Sequence, residues 1–239
     1  GLVVWGAATP DGSALLGGII SLGDAPLWIA RRPADAPATF VLARPGWLGG
    51  LAGCVDGEGA ALALPLPTAD LQTAGLPTPI ILRLALELNS PPADTVSAIM
   101  GWPHAAGAQI FFASAQGNAA SLEFTAHQQR RLAAELDTLT SAGLFSTPDL
   151  ALTQTTILSP TALSGAQARW DKLEGLARAN VGWLGIEKST EALRRLAQGA
   201  EANLVILAPA QGELWTGTAG PEAGRLLVLR PDEIFAALE

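Results

Sequence analysis

The punctuation of the opening third leaves this chain little choice of architecture. "LVVWGAA", "LLGGIISL", "PLWIARR" and "ATFVLAR" are apolar runs of strand length, separated by "TPDGS", "GDAP" and "PADAP". Proline fixes φ and glycine admits positive φ, so such clusters reverse the chain within a few residues. Strands joined by connections this short pair antiparallel. "GAALALPL" reads as one more strand.

The period then changes. "TPIILRLALELN" carries apolar residues on nearly every face, with Arg83 and Glu87 four apart, and predicts a mostly buried helix. "SPPADTVSAIMGW" predicts a second helix, with Ser90 placed to cap it and prolines in its first turn. A strand pair follows in "AQIFFASAQGNAASLEFTA", turning at Gln116-Gly117-Asn118. "HQQRRLAAELDTLTSAG", "SGAQARWDKLEGLARANVG" and "STEALRRLAQG" predict three helices. The end returns to strands in "ANLVILAPAQGELWTGTAG", turning at Gln211-Gly212, and in "RLLVLR", before a short helix in "PDEIFAALE". There is no internal repeat and no polar linker, so one domain is expected over residues 1–239. The order of elements places it in the α+β class with antiparallel pairing.

Composition narrows the function. Charged residues make up only 15% of the chain, where about 25% is usual for soluble domains. With so few charges to cover the exterior, some apolar surface is expected to face a protein partner or a second copy. The net charge is −8 and the basic residues are scattered. Phosphate-backbone binding needs a positive patch, so no nucleic-acid ligand is expected. A single cysteine excludes an intrachain disulfide and a multi-thiolate metal site. No apolar run reaches the ~18 residues of a transmembrane helix. "GLVVWGAATPDG" lacks a signal peptide's basic start, a leader removed before Gly1 stays open, and no compartment is assigned.

Seven blocks carry a family likeness. They are "VVWGAATPDGSALLG", "RPGWLGGLAGCVDGEGAAL", "AGLPTPIILRLALELNSPPADTVSAI", "AQIFFASAQGNAASLEF", "TQTTILSP", "SGAQARWDKLEGL" and "NLVILAPAQGELWTGTAGPEA". In that order they resemble the Ntn hydrolases related to isopenicillin-N acyltransferase and choloylglycine hydrolase. The resemblance implies a four-layer α-β-β-α sandwich of two antiparallel sheets, and cleavage or formation of a linear amide through an acyl-enzyme, with no cofactor. The family's nucleophile is an N-terminal Cys thiol whose own α-amine serves as base. An α-amine titrates near pH 8, close enough to neutrality to accept a proton. Asn donors hold the oxyanion, and an Arg and an Asp position the nucleophile.

The family's functional positions hold other residues here. Counting back from Trp5-Gly6 puts the nucleophile about two positions before Gly1, and Gly1 itself has no side chain to attack with. "GGIIS" stands where the family has Gly-Arg-Asn-x-Asp, so Gly18 replaces the Arg, Ile19 the Asn and Ser21 the Asp. The oxyanion Asn falls on Val55, or on Asp56 with one residue inserted. Valine has no donor, and an ionised aspartate repels an oxyanion. Gln154 stands for the Asn of the Thr-Asn-His block and Thr155 for its His. Arg169 matches a family Arg, and is either catalytic or a tie between helix and sheet.

Other candidates carry less. Cys54 lies in a glycine-rich loop of the family pattern and is expected to be a buried apolar thiol. Lipid attachment there lacks the required upstream segment, and cleavage at Gly53–Cys54 would sever the opening strands. His104, at a helix–strand junction, and His127, opening a helix, are too few for a metal centre. "GGIISLG" and "GWLGGLAG" lack the strand-turn-helix setting and the Lys of a phosphate cradle. The seven Trp are dispersed, as separate core and interface anchors would be.

The expectation is a catalytically degenerate Ntn-hydrolase-fold protein with a structural, assembly or ligand-binding role. Its pocket would take a small apolar or acyl-amide ligand. The alternative is an active N-terminal-Cys amidohydrolase or acyltransferase whose nucleophile lies upstream of Gly1.

Overall fold

The computed structural model describes residues 1–23, 26–55, 58–197, 202–220 and 224–237. Two antiparallel sheets lie face to face. One is built from the two ends of the chain. β1 (Leu2–Gly6) and β2 (Gly12–Ile20) sit among β10 (Thr138–Thr140), β11 (Asn203–Ala208), β12 (Glu213–Thr218) and β13 (Leu227–Leu229), in the order β10-β1-β2-β11-β12-β13. The other is a meander whose seven strands follow chain order: β3 (Leu27–Arg31), β4 (Thr39–Ala43), β5 (Ala52–Val55), β6 (Gly59–Pro65), β7 (Ala108–Ser114), β8 (Ala119–Phe124) and β9 (Gln129–Arg131).

Alternation along the strands explains the layers. Leu16, Val205 and Leu207 share a buried cluster with Leu42, Leu62 and Phe111 of the meander, whereas Leu15, Leu204 and Ile206 join a second cluster with Leu173 and Leu193. Successive side chains of a strand point to opposite faces, so each strand feeds two cores. Helices α1 (Thr78–Leu88) and α2 (Pro92–Ile99) pack on the meander, and α4 (Pro160–Ala179) and α5 (Ile186–Arg194) on the other sheet. The four-layer sandwich is therefore present. No described helix is long and apolar enough to cross a membrane.

Prolines start four helices: α2, α4, the short α3 (Pro148–Thr155) and the terminal α6 (Pro231–Ala236). Proline has no N–H to lose at the first position and presets φ. Ser159 caps α4, its Oγ accepting from the Ala162 amide at 3.2 Å. The entry to α3 is held from a distance by the fully buried carboxylate of Glu123 on β8. One oxygen accepts from Ser146 N (2.7 Å) and Oγ (2.8 Å), the other from Thr147 N (3.1 Å) and Oγ1 (3.0 Å).

Four local expectations are corrected. Residues 127–143 form no helix but carry β9, a tight turn and β10, with Leu136 and Asp137 at φ of 51° and 54°. Pairing of Gln129–Arg131 with β8 and of Thr138–Thr140 with β1 overrides a weak helical pattern. Ser90 does not cap α2, whose N-cap is Pro91; its hydroxyl donates to Leu88 O at 3.2 Å. Helix α1 is buried along one face only, through Ile81, Leu82, Ala85 and Leu86, and Leu88 is 42% exposed. Cys54 lies on a strand, β5, where it is half-buried between Phe40 and Ala60 in the ladder.

Candidate active-site cleft

The register of the first sheet fixes the centre of the site. Leu2 stands opposite Thr140 on one side and Gly17 on the other, which sets Gly1 beside Ser141 and Gly18. Gly1 N donates to Ser141 O at 2.6 Å, and Ser141 N donates to Gly1 O at 2.9 Å. Burial pushes the Gly1 amine down to about 5, because the charged form has lost its water. The residue as a whole is only half-buried, so water in the adjoining cleft softens that penalty.

A side chain at either glycine would have to displace a leucine of the facing sheet. A Cβ on Gly1 would lie 2.5 Å from Leu64 Cδ1 and 3.1 Å from Phe111 Cε2; one on Gly18 would lie 2.8 and 3.0 Å from the two methyls of Leu62. Leu62, Leu64 and Phe111 all come from the meander. Apolar side chains of one sheet thus fill the space that two side chains of the other would need.

Beside them opens a cleft of about 640 Å³. Its walls include Trp47, Leu51, Leu64, Leu66, Leu193 and Leu196, and its polar lining includes Ser21, Ser141 and Arg169. Ser141 is 1% exposed and its hydroxyl has no partner. Arg169, on the exposed side of α4, makes no hydrogen bond or ion pair among the described residues. Among the described residues no carboxylate lines the cleft, and Arg169 sets a positive charge above its apolar walls.

The structure thus brings Gly1, Ser21 and Arg169 together, with Gly18 adjoining them beneath Leu62. Val55 is buried in β5 outside the cleft, and Asp56 lies outside the described residues. Gln154 does not reach the cleft. It is buried on α3, accepting from Phe145 N at 2.9 Å and donating to Gly143 O at 3.2 Å, so it braces a loop. Thr155 is exposed next to it. Ser141 is the residue that sequence reasoning missed, because "TLTSAG" was assigned to a helix. Cys54 borders a separate pocket of about 110 Å³. His104 is buried, bonded to Ile99 O at 3.1 Å and stacked on Phe124, and burial lowers its pKa. His127 is exposed rather than helical and pairs with Asp70 at 3.2 Å. No group of three potential metal ligands occurs among the described residues.

No protein-family model and no curated protein matches the chain by sequence. Solved structures do match by fold. A variant of conjugated bile acid hydrolase from Clostridium perfringens superposes with a TM-score of 0.65 at 11% identity, covering 98% of this chain and 93% of that one. A second variant of the same enzyme gives 0.63 at 12%, covering 97% and 92%. The N-acylethanolamine-hydrolyzing acid amidase ortholog of Caenorhabditis elegans gives 0.57 at 13%, covering 87% and 92%. The likeness is one of fold, and it agrees with the Ntn-hydrolase resemblance carried by the seven blocks.

Proposed function

We propose that this is a catalytically degenerate Ntn-hydrolase-fold protein whose cleft binds an apolar molecule with an amide or anionic head. The observation that carries this reading is the filled space at Gly1 and Gly18. Acyl transfer needs a nucleophile and groups to orient it, and here the meander's Leu62, Leu64 and Phe111 take up the room. What is left is a cleft with apolar walls, and among the described residues its Ser141 hydroxyl and Arg169 have no partner. Such a site fits an acyl chain with a polar terminus.

The test uses the full chain and a long-chain N-acylglycine, which combines an acyl chain, an amide and a carboxylate. Calorimetry is expected to show saturable binding, weakened about tenfold by Arg169→Gln through loss of one charge-assisted contact. Mass spectrometry of the same mixture is expected to show intact amide. Release of free acid above the buffer rate would overturn the degenerate reading, and absence of binding would overturn the ligand.

A further inference from the structure

The outer face of the first sheet is unevenly covered. Helix α4 packs on β10, and α5 packs on β2 and β11, which leaves β12 open along the far side of α5. A groove of about 780 Å³ runs there, between Ile186, Thr190 and Arg194 of α5 and Trp215, Arg225 and Leu226. It is distinct from the cleft, which takes Leu193 and Leu196 from another side of the same helical segment.

Three polar atoms of residues lining this groove are buried without a partner among the described residues: Thr190 Oγ1, Arg194 Nε and Trp215 Nε1. Each can donate a hydrogen bond, and a buried donor without an acceptor is costly to leave unmet. Their coincidence at one groove is unlike the scattered exceptions expected of a core. Arg194 is anchored at its other end, Nη2 donating to Gly224 O at 2.7 Å. Arg225 is exposed and has no ion pair among the described residues. Of the acidic residues that line the groove among the described residues, Glu191 is already held by Lys188 (3.1 Å) and Arg195 (2.5 Å), leaving Glu187 in the first turn of α5. The groove therefore offers donors and cations in excess, over walls of Ile186, Trp215 and Leu226.

We propose that this groove is a second ligand site, for a small carboxylic acid with a flat apolar body. The carboxylate, which only accepts hydrogen bonds, meets Arg194 and Arg225, and the body lies against the Trp215 ring. The site stands independently of any reading of the cleft.

The test titrates the full chain with naphthoate and follows the indole N–H signals by proton–nitrogen NMR, Trp215 being identified by its loss in Trp215→Phe. A saturable shift of the Trp215 signal is expected, about tenfold weaker in Arg225→Gln for the loss of one charge-assisted bond. The same shift is expected unchanged in Arg169→Gln and absent with neutral naphthylmethanol. Because Arg225 is exposed, that variant keeps the test informative if Trp215→Phe misfolds. The proposal is overturned if only other indoles respond, if the neutral alcohol acts equally, or if Arg169→Gln abolishes the response.

Discussion

At positions 1 and 18 glycine lets leucine side chains of the meander approach the backbone of the first sheet. At Gly18 even one carbon would sit 2.8 Å from Leu62, so Gly18→Ala should overpack the space between the sheets. The expected cost is about 1–3 kcal/mol in urea denaturation. Leu62→Ala in the same background should recover part of it, because the two changes share one volume. Purely additive costs would mean that Leu62 is not what fills the site. The Gly1 amine makes a second prediction, for a chain in which that nitrogen is a free amine. Burial holds it near 5 in the fold against 8.0 in the open chain. Between those values the unfolded chain binds a proton that the folded one does not. Stability should therefore rise from pH 5 to pH 8, by at most about 4 kcal/mol. A chain whose Gly1 nitrogen is in an amide should lose that slope. The placing of Gly18 beside Gly1 was legible because strand spacing is rigid and fixes which residue faces which. Ser141 was not, since its neighbour Gly1 lies 140 residues away and only sheet pairing joins them.

Elements were legible where their period was strong and their ends were marked. Proline starts and glycine turns placed α2 and the β7–β8 and β11–β12 hairpins, with Gly117 and Gly212 at φ of 79° and 61°, whereas α4 begins at Pro160, ahead of the predicted Ser164. The segment 127–143 had no such marks. Its turn is made by Leu136, which rarely takes positive φ, and Asp137, with no glycine or proline to signal a reversal. Helix α3 escaped notice for a related reason: what defines its entry is Glu123, from a strand well before it. That carboxylate accepts four bonds and has no alternative partner in water, so Glu123→Gln would turn an amide donor toward the donors it must satisfy. A loss of roughly 3 kcal/mol is expected on thermal or chemical unfolding, with faster amide exchange in α3 before anywhere else.

At the scale of the molecule, fold class and layering were legible while the partition of strands between sheets was not. Antiparallel pairing followed from short turns, but nothing local reveals that β2 turns away from β3 to lie beside β11. That partition has a kinetic consequence. The meander runs from Leu27 to Arg131 without borrowing a strand, so each of its pairings joins consecutive strands. The opening strands must wait: Leu2 needs Thr140, and Leu16 needs Leu207. Closing such long loops is slow relative to joining neighbours. Although β1 and β2 precede the meander in the chain, pulse-labelled exchange during refolding should protect the meander's amides ahead of theirs. Until β10 and β11 are made, the β1–β2 hairpin has two open edges and an uncovered apolar face, a natural handle for a chaperone.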